Sequence, residues 1–215
     1  MRNSAEIPRY SPAEERLNIT SHAIGLVLSI GAVVALISRT IPVDDARIAI
    51  SFGIFGLSLI ILYATSTAYH SSKNPARRGR FRILDHASIY ILIAGTYTPF
   101  TLITLHGPTG WMIFGTSWSM AFTGIILKFF FAGKYKLLST LMYVFMGWLI
   151  VFALGPLIDK LPGAGLAWLV AGGVAYTLGA VLYSIKKIRF NHAIFHVFVL
   201  LGSGCHFMSV YFYVV

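Results

Sequence analysis

The sequence predicts an all-α membrane protein, a bundle of seven transmembrane helices, and three observations support this. Of the 215 residues, 57% are hydrophobic and only 11% are charged. The mean hydropathy is +0.76, which is more apolar than a soluble domain of this size can be. Apolar stretches of about 20 residues, the length that crosses a bilayer, account for nearly everything after residue 17.

The predicted spans follow one another with short connections. A polar segment at residues 1–17 precedes a single transmembrane domain, residues 18–215, and we expect this segment to be cytoplasmic and not a removable signal peptide. Small residues at Ala171, Ala175 and Gly179 predict close packing of the sixth span. The spans are residues 18–39, 47–70, 84–105, 110–131, 137–158, 164–185 and 192–214.

Basic residues cluster at alternate ends of the predicted spans, and the opposite connections carry few. Because loops rich in Lys and Arg stay in the cytoplasm, the N terminus is predicted inside and the C terminus outside. The net charge of +10 is then explained by the basic residues at the cytoplasmic ends of the spans, and it does not indicate nucleic acid binding. The clustered residues are Arg2, Arg9, Arg16, Lys73, Arg77, Arg78, Arg80, Arg82, Lys128, Lys134, Lys136, Lys186, Lys187 and Arg189.

The last predicted span carries three histidines in an otherwise apolar run. His192 and His196 lie four residues apart, so on an α-helix their side chains sit one turn apart on one face, within reach of one metal ion. Ser203 and His206 fall on the same arc of the helix. Because polar groups are costly where they face lipid, this stripe is predicted to face the bundle interior.

Further polar groups enter the membrane at the same predicted level. Ser66 and His70 share a face at the end of the second span, and Asp85 begins the third. The basic clusters place the end of the second span, the start of the third span and the start of the last span on the cytoplasmic side. Asp85 has an alternative role as a helix cap.

Three imidazoles, from His70, His192 and His196, together with a water make a tetrahedral Zn²⁺ site with an open position. This is the arrangement of catalytic zinc, in which the bound water has a pKa of about 7. Asp85 would orient or deprotonate that water, and Ser66 would support either group. The competing interpretation treats the histidines as interhelical hydrogen-bonding groups, but three of them with a carboxylate at one level favour a metal.

Two other groups of polar residues have predicted roles outside the set of metal ligands. His206 lies about 15 Å beyond His196 along the helix, too far for the same ion, and is predicted to pack or to line a cavity. Glu15, Asn18 and His22 share one face where the first span begins. They either cap that helix and interact with its dipole, or bring His22 beside the metal site as a supporting or gating group.

These residues resemble the hallmark motifs of the progestin and adipoQ receptors and of their bacterial relatives, the hemolysin III proteins, in a larger group that includes the alkaline ceramidases. The bacterial branch is the nearer resemblance, and it covers essentially the whole chain. The residues that carry it are Ser66-x-x-x-His70, Asp85, His192-x-x-x-His196, Glu14-Glu-Arg-Leu-Asn-Ile-Thr-Ser-His22 and Ala94-Gly-Thr-Tyr-Thr-Pro99.

The resemblance implies a seven-helix bundle with a zinc ion near the cytoplasmic face. The residues that match the family's ligands are His70, His192 and His196, with Asp85 linked through water. The receptor branch is associated with ceramide hydrolysis and the bacterial branch with membrane homeostasis, which implies a bacterial inner membrane location. The chain departs from the receptors in lacking their large N-terminal soluble domain, so we do not expect it to sense a protein hormone.

The first functional hypothesis is a zinc-dependent intramembrane hydrolase of a lipid amide or ester, with Asp85 as general base and Ser66 as orienting group. The partner is then a membrane lipid. A second is a non-enzymatic sensor or regulator of the membrane in which zinc joins two spans and adds stability. A cytolytic pore and a proton or ion transporter are further alternatives, and each has less support in the sequence.

Overall fold

The computed structural model describes residues 10–131 and 136–215, and these residues form seven helical spans with no strand among them. Each span is long and apolar enough to cross a membrane, so the predicted multi-pass helical fold is confirmed. Arg2, Arg9 and Lys134 of the basic clusters lie outside the described residues. The α-helices are α1 (Pro12–Thr40), α2 (Ala46–Ser71), α3 (Pro75–Pro99), α4 (Gly107–Phe131), α5 (Lys136–Gly147), α6 (Leu154–Lys160), α7 (Gly163–Ser184) and α8 (Asn191–Tyr213).

Two short irregular helices complete the spans. The π-helix Phe100–Leu105 continues α3 beyond Pro99, and the 3₁₀ helix Leu149–Ala153 joins α5 to α6 within the fifth span. Proline removes one hydrogen bond from the regular ladder, and irregular helical turns absorb such a break inside a membrane. The third and fifth spans are therefore interrupted helices.

Helices α1 and α3 begin where the sequence supplies caps. The Ser11 side chain accepts a hydrogen bond from the Glu14 backbone amide (3.2 Å), and Pro12 occupies the first helical position. Asn74 and Pro75 play the same two roles for α3. Because of this cap, α3 begins well before residue 84, the start that hydropathy predicts, and its arginine-rich first turns extend the helix beyond the apolar segment.

The packing of α7 against α8 depends on glycines seven residues apart. Gly165, Gly172 and Gly179 are buried, and a Cβ added to any of them would collide with a side chain of α8. Of the small residues expected in this contact, Gly179 takes part, whereas Ala171 is exposed. A seven-residue repeat keeps one face of a helix toward its neighbour, which explains the spacing. The side chains of α8 that these glycines meet are Tyr213, His206 and Phe198, respectively.

The adjacent glycines at 172 and 173 allow a matched test of this packing. A Cβ at Gly172 would overlap the His206 ring, whereas a Cβ at Gly173 would meet only Trp148, at 3.7 Å. We expect Gly172→Ala to lower the free energy of unfolding by about 1–3 kcal/mol, and Gly173→Ala to leave it unchanged or raise it slightly. Thermal unfolding of the detergent-purified variants measures the difference. Equal loss in both variants would contradict this packing.

The order of helices around the bundle brings the ends of four helices together. Helix α1 packs against α2 and α8, α2 packs against α3, and α7 packs against α8. The first turns of α1, the last turn of α2 and the first turns of α3 and α8 lie at the same end of the bundle, called here the site end. Large apolar side chains such as Val27, Phe122 and Phe152 are exposed on the outer surface, as expected for faces in contact with lipid.

Candidate metal centre

The three histidines that the sequence singled out meet at the site end of the bundle. His70 comes from the last turn of α2, and His192 and His196 come from the first turns of α8. All three are buried. The Nε2 atom of His192 lies 3.1 Å from the Nε2 atom of His70 and 3.1 Å from that of His196. One ring nitrogen from each lies within 4.8 Å of the others.

The hydrogen bonds on the far side of two of these rings set their tautomers. The Nδ1 atom of His70 lies 3.0 Å from a carboxylate oxygen of Glu15, and the Nδ1 atom of His196 lies 3.2 Å from the backbone carbonyl oxygen of Asn18. Because these oxygens accept hydrogen bonds, each Nδ1 carries the proton. In the neutral rings the Nε2 atoms then present lone pairs to the shared centre.

Converging lone pairs fit a metal ion better than a set of hydrogen bonds. A neutral His192 has at most one proton on Nε2, which satisfies one of its two 3.1 Å contacts and leaves the other as a contact between two acceptors. In a tetrahedral zinc site with Zn–N bonds of about 2.0–2.1 Å, ligand nitrogens lie about 3.3 Å apart. Two of the three nitrogen–nitrogen distances are thus already close to those of a zinc site, and all three nitrogens lie within 4.8 Å of one another, so the set fits a metal ion.

Glu15 and Arg78 support His70 from α1 and α3. The Glu15 carboxylate contacts both the His70 ring and the Arg78 guanidinium. Arg78 also donates to backbone carbonyl oxygens at the end of α2, including that of His70 (3.3 Å). A carboxylate on the second nitrogen of a metal-binding histidine fixes the ring orientation and makes it a stronger ligand. The spacing of Glu15, Asn18 and His22 predicts the face of α1 on which Glu15 lies, but it does not predict the contact of Glu15 with His70.

Asp85, Ser66 and His22 form a polar group beside the three imidazoles. The Asp85 side chain, 14% exposed, lies beside the Ser66 hydroxyl and near His70. The Ser66 oxygen lies 2.6 Å from Nδ1 of His22. The His22 ring in turn stacks on His196, with ring centroids 3.5 Å apart. The arrangement connects the carboxylate to the histidine cluster through two buried side chains. Of the two alternatives left open for His22, it agrees with the one that places this ring beside the site.

His192 is held by ring packing. Its Nδ1 atom is buried and has no hydrogen-bond partner in residues 10–131 and 136–215. Tyr10 stacks on the ring with centroids 4.7 Å apart, and Tyr183 packs at 5.4 Å. Tyr10 precedes the first helix, and no local pattern in the sequence predicts this contact. Tyr10 therefore covers one side of the histidine cluster.

A cavity of about 220 Å³ opens from the histidine cluster into the bundle. His192, His196 and Asp85 border it at the site end, and it extends between α3, α5, α7 and α8 as far as His206. Most of the other residues that line it are apolar or aromatic. A small polar group at one end of a largely apolar cavity is the usual form of a site for an amphiphilic ligand.

The second part of the polar stripe on α8 lies away from the cluster. His206 is buried, and its Nε2 atom lies 3.2 Å from the carbonyl oxygen of Leu169. The Ser203 hydroxyl bonds to the hydroxyls of Tyr63 and Tyr176, each at 2.8 Å. Both residues face the bundle interior as predicted, and His206 lines the cavity.

Comparisons with known proteins agree with this architecture. The chain matches the family model described as "Haemolysin-III related" over residues 10–207. It is 47% identical to "Hemolysin-3" of Bacillus cereus, over 94% of this chain and 92% of the relative. It is 46% identical to a "Hemolysin-3 homolog" of Bacillus subtilis, over 94% and 95%. It is also 31% identical to the human "Monocyte to macrophage differentiation factor", over 95% and 87%.

Proposed function

The chain belongs to the haemolysin-III-related family, and we propose that it is a zinc-dependent hydrolase of lipid amide or ester bonds in the bilayer. The observation that carries this proposal is the meeting of three convergent Nε2 atoms, a carboxylate and a cavity inside one membrane-spanning bundle. Ceramide-like lipids are the amide substrates we expect, because their polar group and apolar chains match the two parts of the cavity.

His70, His192 and His196 would hold the zinc ion through their Nε2 atoms. Zinc in such a site polarises a carbonyl oxygen and lowers the pKa of a bound water, which provides a nucleophile at neutral pH. Asp85 acts as general base: it takes a proton from the attacking water and returns it to the leaving amine or alcohol. Water is thereby added across the C–N or C–O bond, giving a fatty acid and an amine or alcohol.

Ser66 positions the general base. Its hydroxyl lies between the Asp85 carboxylate and Nδ1 of His22, so the carboxylate is oriented by a group that is itself fixed. The packed rings and helices around the site keep bulk water away, which strengthens electrostatic interactions with developing charge.

We also propose the membrane orientation that the basic residues favour. The Arg- and Lys-rich connections lie at the site end, as in the segment 77–82 that opens α3. With these connections in the cytoplasm, the N terminus is inside and the C terminus outside, and the hydrolytic centre lies near the cytoplasmic face. Together with the bacterial relatives, this favours the inner membrane of a bacterial cell.

Purified protein reconstituted in liposomes tests the activity. The liposomes contain zinc and a ceramide, and mass spectrometry follows the release of fatty acid. We expect turnover that stops when a chelator strips the metal and returns when zinc is restored. Absence of release from folded, zinc-loaded protein with both amide and ester lipids would contradict the hydrolase proposal.

Replacing Glu15 by glutamine tests the support of His70. We expect zinc affinity to fall by about 10–100-fold, the usual effect of losing a carboxylate on a ligand histidine. Competition with a chromogenic chelator measures the affinity. The matched control is Glu14→Gln, one residue away, because Glu14 takes part in the α1 cap only through its backbone amide. Unchanged affinity in the Glu15 variant would show that the contact with His70 has no effect on the ligand.

A second function, a non-enzymatic regulator with structural zinc, is favoured by one observation. The histidine cluster joins α2 to α8, and its supporting groups Glu15 and Asn18 come from α1. A metal at this junction would tie three helices together and contribute directly to stability. The liposome assay separates the two functions, since a regulator would bind zinc without releasing fatty acid.

A further inference from the structure

A second cavity, of about 170 Å³, adjoins the first one on the side away from the histidine cluster. Most of the residues that line it are apolar, including Leu154, Leu157 and Leu166 of α6 and α7. We call it the outer cavity, and the cavity at the histidine cluster the inner cavity. Six residues line both cavities, and we call the boundary that they form the constriction: Thr96, Tyr97, Gly147, Trp148, Gly173 and His206.

The polar hydrogens of the constriction are used inside the protein. The Thr96 hydroxyl donates to a carbonyl oxygen of its own helix (2.8 Å), and the Tyr97 hydroxyl donates to the Gly147 carbonyl oxygen (2.8 Å). The Trp148 indole donates to Thr177 (2.9 Å), and Nε2 of His206 donates to the carbonyl oxygen of Leu169 (3.2 Å). The exception is Nδ1 of His206, a buried acceptor without a partner among the described residues. The rest of the constriction offers mainly carbon surfaces to a passing group, which suits a hydrocarbon chain.

Two of the constriction residues are glycines that packing does not require. Nothing lies within 4 Å of a Cβ added to Gly147, and a Cβ added to Gly173 would meet only the Trp148 ring at ordinary contact distances, 3.7 and 3.8 Å. In contrast, Gly172 and Gly179, which lie on α7 like Gly173, have no room for a side chain. Gly147 is exposed and Gly173 is half-buried. Because both line the two cavities, their missing side chains leave space beside the constriction.

The sizes of the cavities indicate an occupant that extends through both. Pockets for small-molecule ligands have volumes of about 300–1,000 Å³. Each cavity alone is smaller than this range, and together they reach it.

From these observations we propose that Gly147 and Gly173 set the chain length of the lipid substrate. The polar group of the lipid lies at the histidine cluster, and its acyl chain passes the two glycines into the outer cavity. Short chains end in the inner cavity. This inference rests on the proposed lipid substrate, and it identifies the residues that select among such lipids.

Photolabelling tests the path of the chain without requiring turnover. The probes are a long-chain fatty acid with a diazirine at its terminal carbon and an octanoic acid analogue with the same group. Mass spectrometry locates the labelled residues in the full-length, zinc-loaded protein. We expect the long probe to label the outer cavity, for example Leu154 and Leu157, and the short probe to label the inner cavity, for example Ile93 and Val144.

A leucine at the constriction should block the long chain alone. In Gly173→Leu and in Gly147→Leu we expect labelling of the outer cavity to fall by about tenfold or more, with labelling by the octanoic probe unchanged. Gly204→Leu is the matched control, because position 204 is exposed on α8 and nothing lies within 4 Å of its added Cβ. Unchanged zinc content and elution volume identify variants that are folded.

The outcomes separate this inference from the proposed hydrolase. If the long probe labels the outer cavity equally in wild type and in both folded constriction variants, or labels only the inner cavity, the inference is overturned even where hydrolysis occurs. If labelling changes as expected while no lipid is hydrolysed, the chain path stands and the hydrolase proposal falls. If the chain path and the hydrolase activity are both correct, the constriction variants should also lose turnover of long-chain amides while keeping turnover of octanoyl amides.

Discussion

Replacing Asp85 by asparagine is expected to lower the rate of lipid hydrolysis by about 10²–10⁴-fold and to leave the bound zinc in place. The expected loss is the usual contribution of a positioned general base. Asparagine has the shape of aspartate but accepts no proton, so the packing beside Ser66 and His70 is preserved. The measurement is the initial rate of fatty acid release in liposomes, with zinc content determined on the same sample.

The control for this variant is Asp159→Asn. Asp159 is exposed near the end of α6, away from the histidine cluster, and its replacement should leave both rate and zinc content at wild-type values. An Asp85→Asn protein that keeps its zinc and hydrolyses lipid at the wild-type rate would exclude Asp85 as the base. If the variant loses its zinc together with its activity, Asp85 is instead required for metal binding.

Removal of zinc is expected to destabilise the bundle, because an ion held by His70, His192 and His196 would join α2 to α8. A ligand that binds only the folded state, at a free concentration about 100 times its dissociation constant, stabilises that state by about 2.7 kcal/mol. For a chain of this size, that corresponds to a fall of about 5–10 °C in the unfolding temperature when the metal is stripped. Thermal unfolding in detergent, with and without chelator, measures the shift.

The His192→Ala variant provides the comparison for zinc removal. His192 Nε2 makes both of the 3.1 Å contacts in the cluster, so its loss should weaken zinc binding most directly. The variant should unfold at a lower temperature than zinc-loaded wild type and should respond little to chelator. If chelator lowers the unfolding temperature of wild type and of His192→Ala by the same amount, the metal that matters is bound elsewhere.

Much of the fold follows from patterns that are local in the sequence. Spans are set by runs of apolar residues whose length matches the bilayer, so hydropathy locates them well. Their ends are set by other interactions, as at Pro75, where an asparagine cap starts α3 before its apolar part. The packing of α7 depends on a seven-residue glycine repeat that includes Gly165 and Gly172, and a short small-residue pattern identified only Gly179 of this set.

The candidate site was predictable where residues share a helix and less so where helices meet. The i, i+4 spacing of His192 and His196 places both on one face of a helix. The basic clusters place the end of the second span on the same side of the membrane, which predicts that His70 lies near them. The contacts of Glu15 and Arg78 with the end of α2 depend on how α1, α2 and α3 pack. Spacing within one helix carries no information about such packing, and a stacking residue before the first helix, such as Tyr10, gives no periodic signal.

Elemental analysis of detergent-purified protein shows whether the three convergent imidazoles bind zinc. Wild type is compared with a His192→Ala, His196→Ala double variant that elutes as a folded protein. We expect about one zinc ion per chain in wild type and its loss in the double variant. Folded, unchelated wild type without bound metal, or a double variant that retains the full amount, would contradict this expectation.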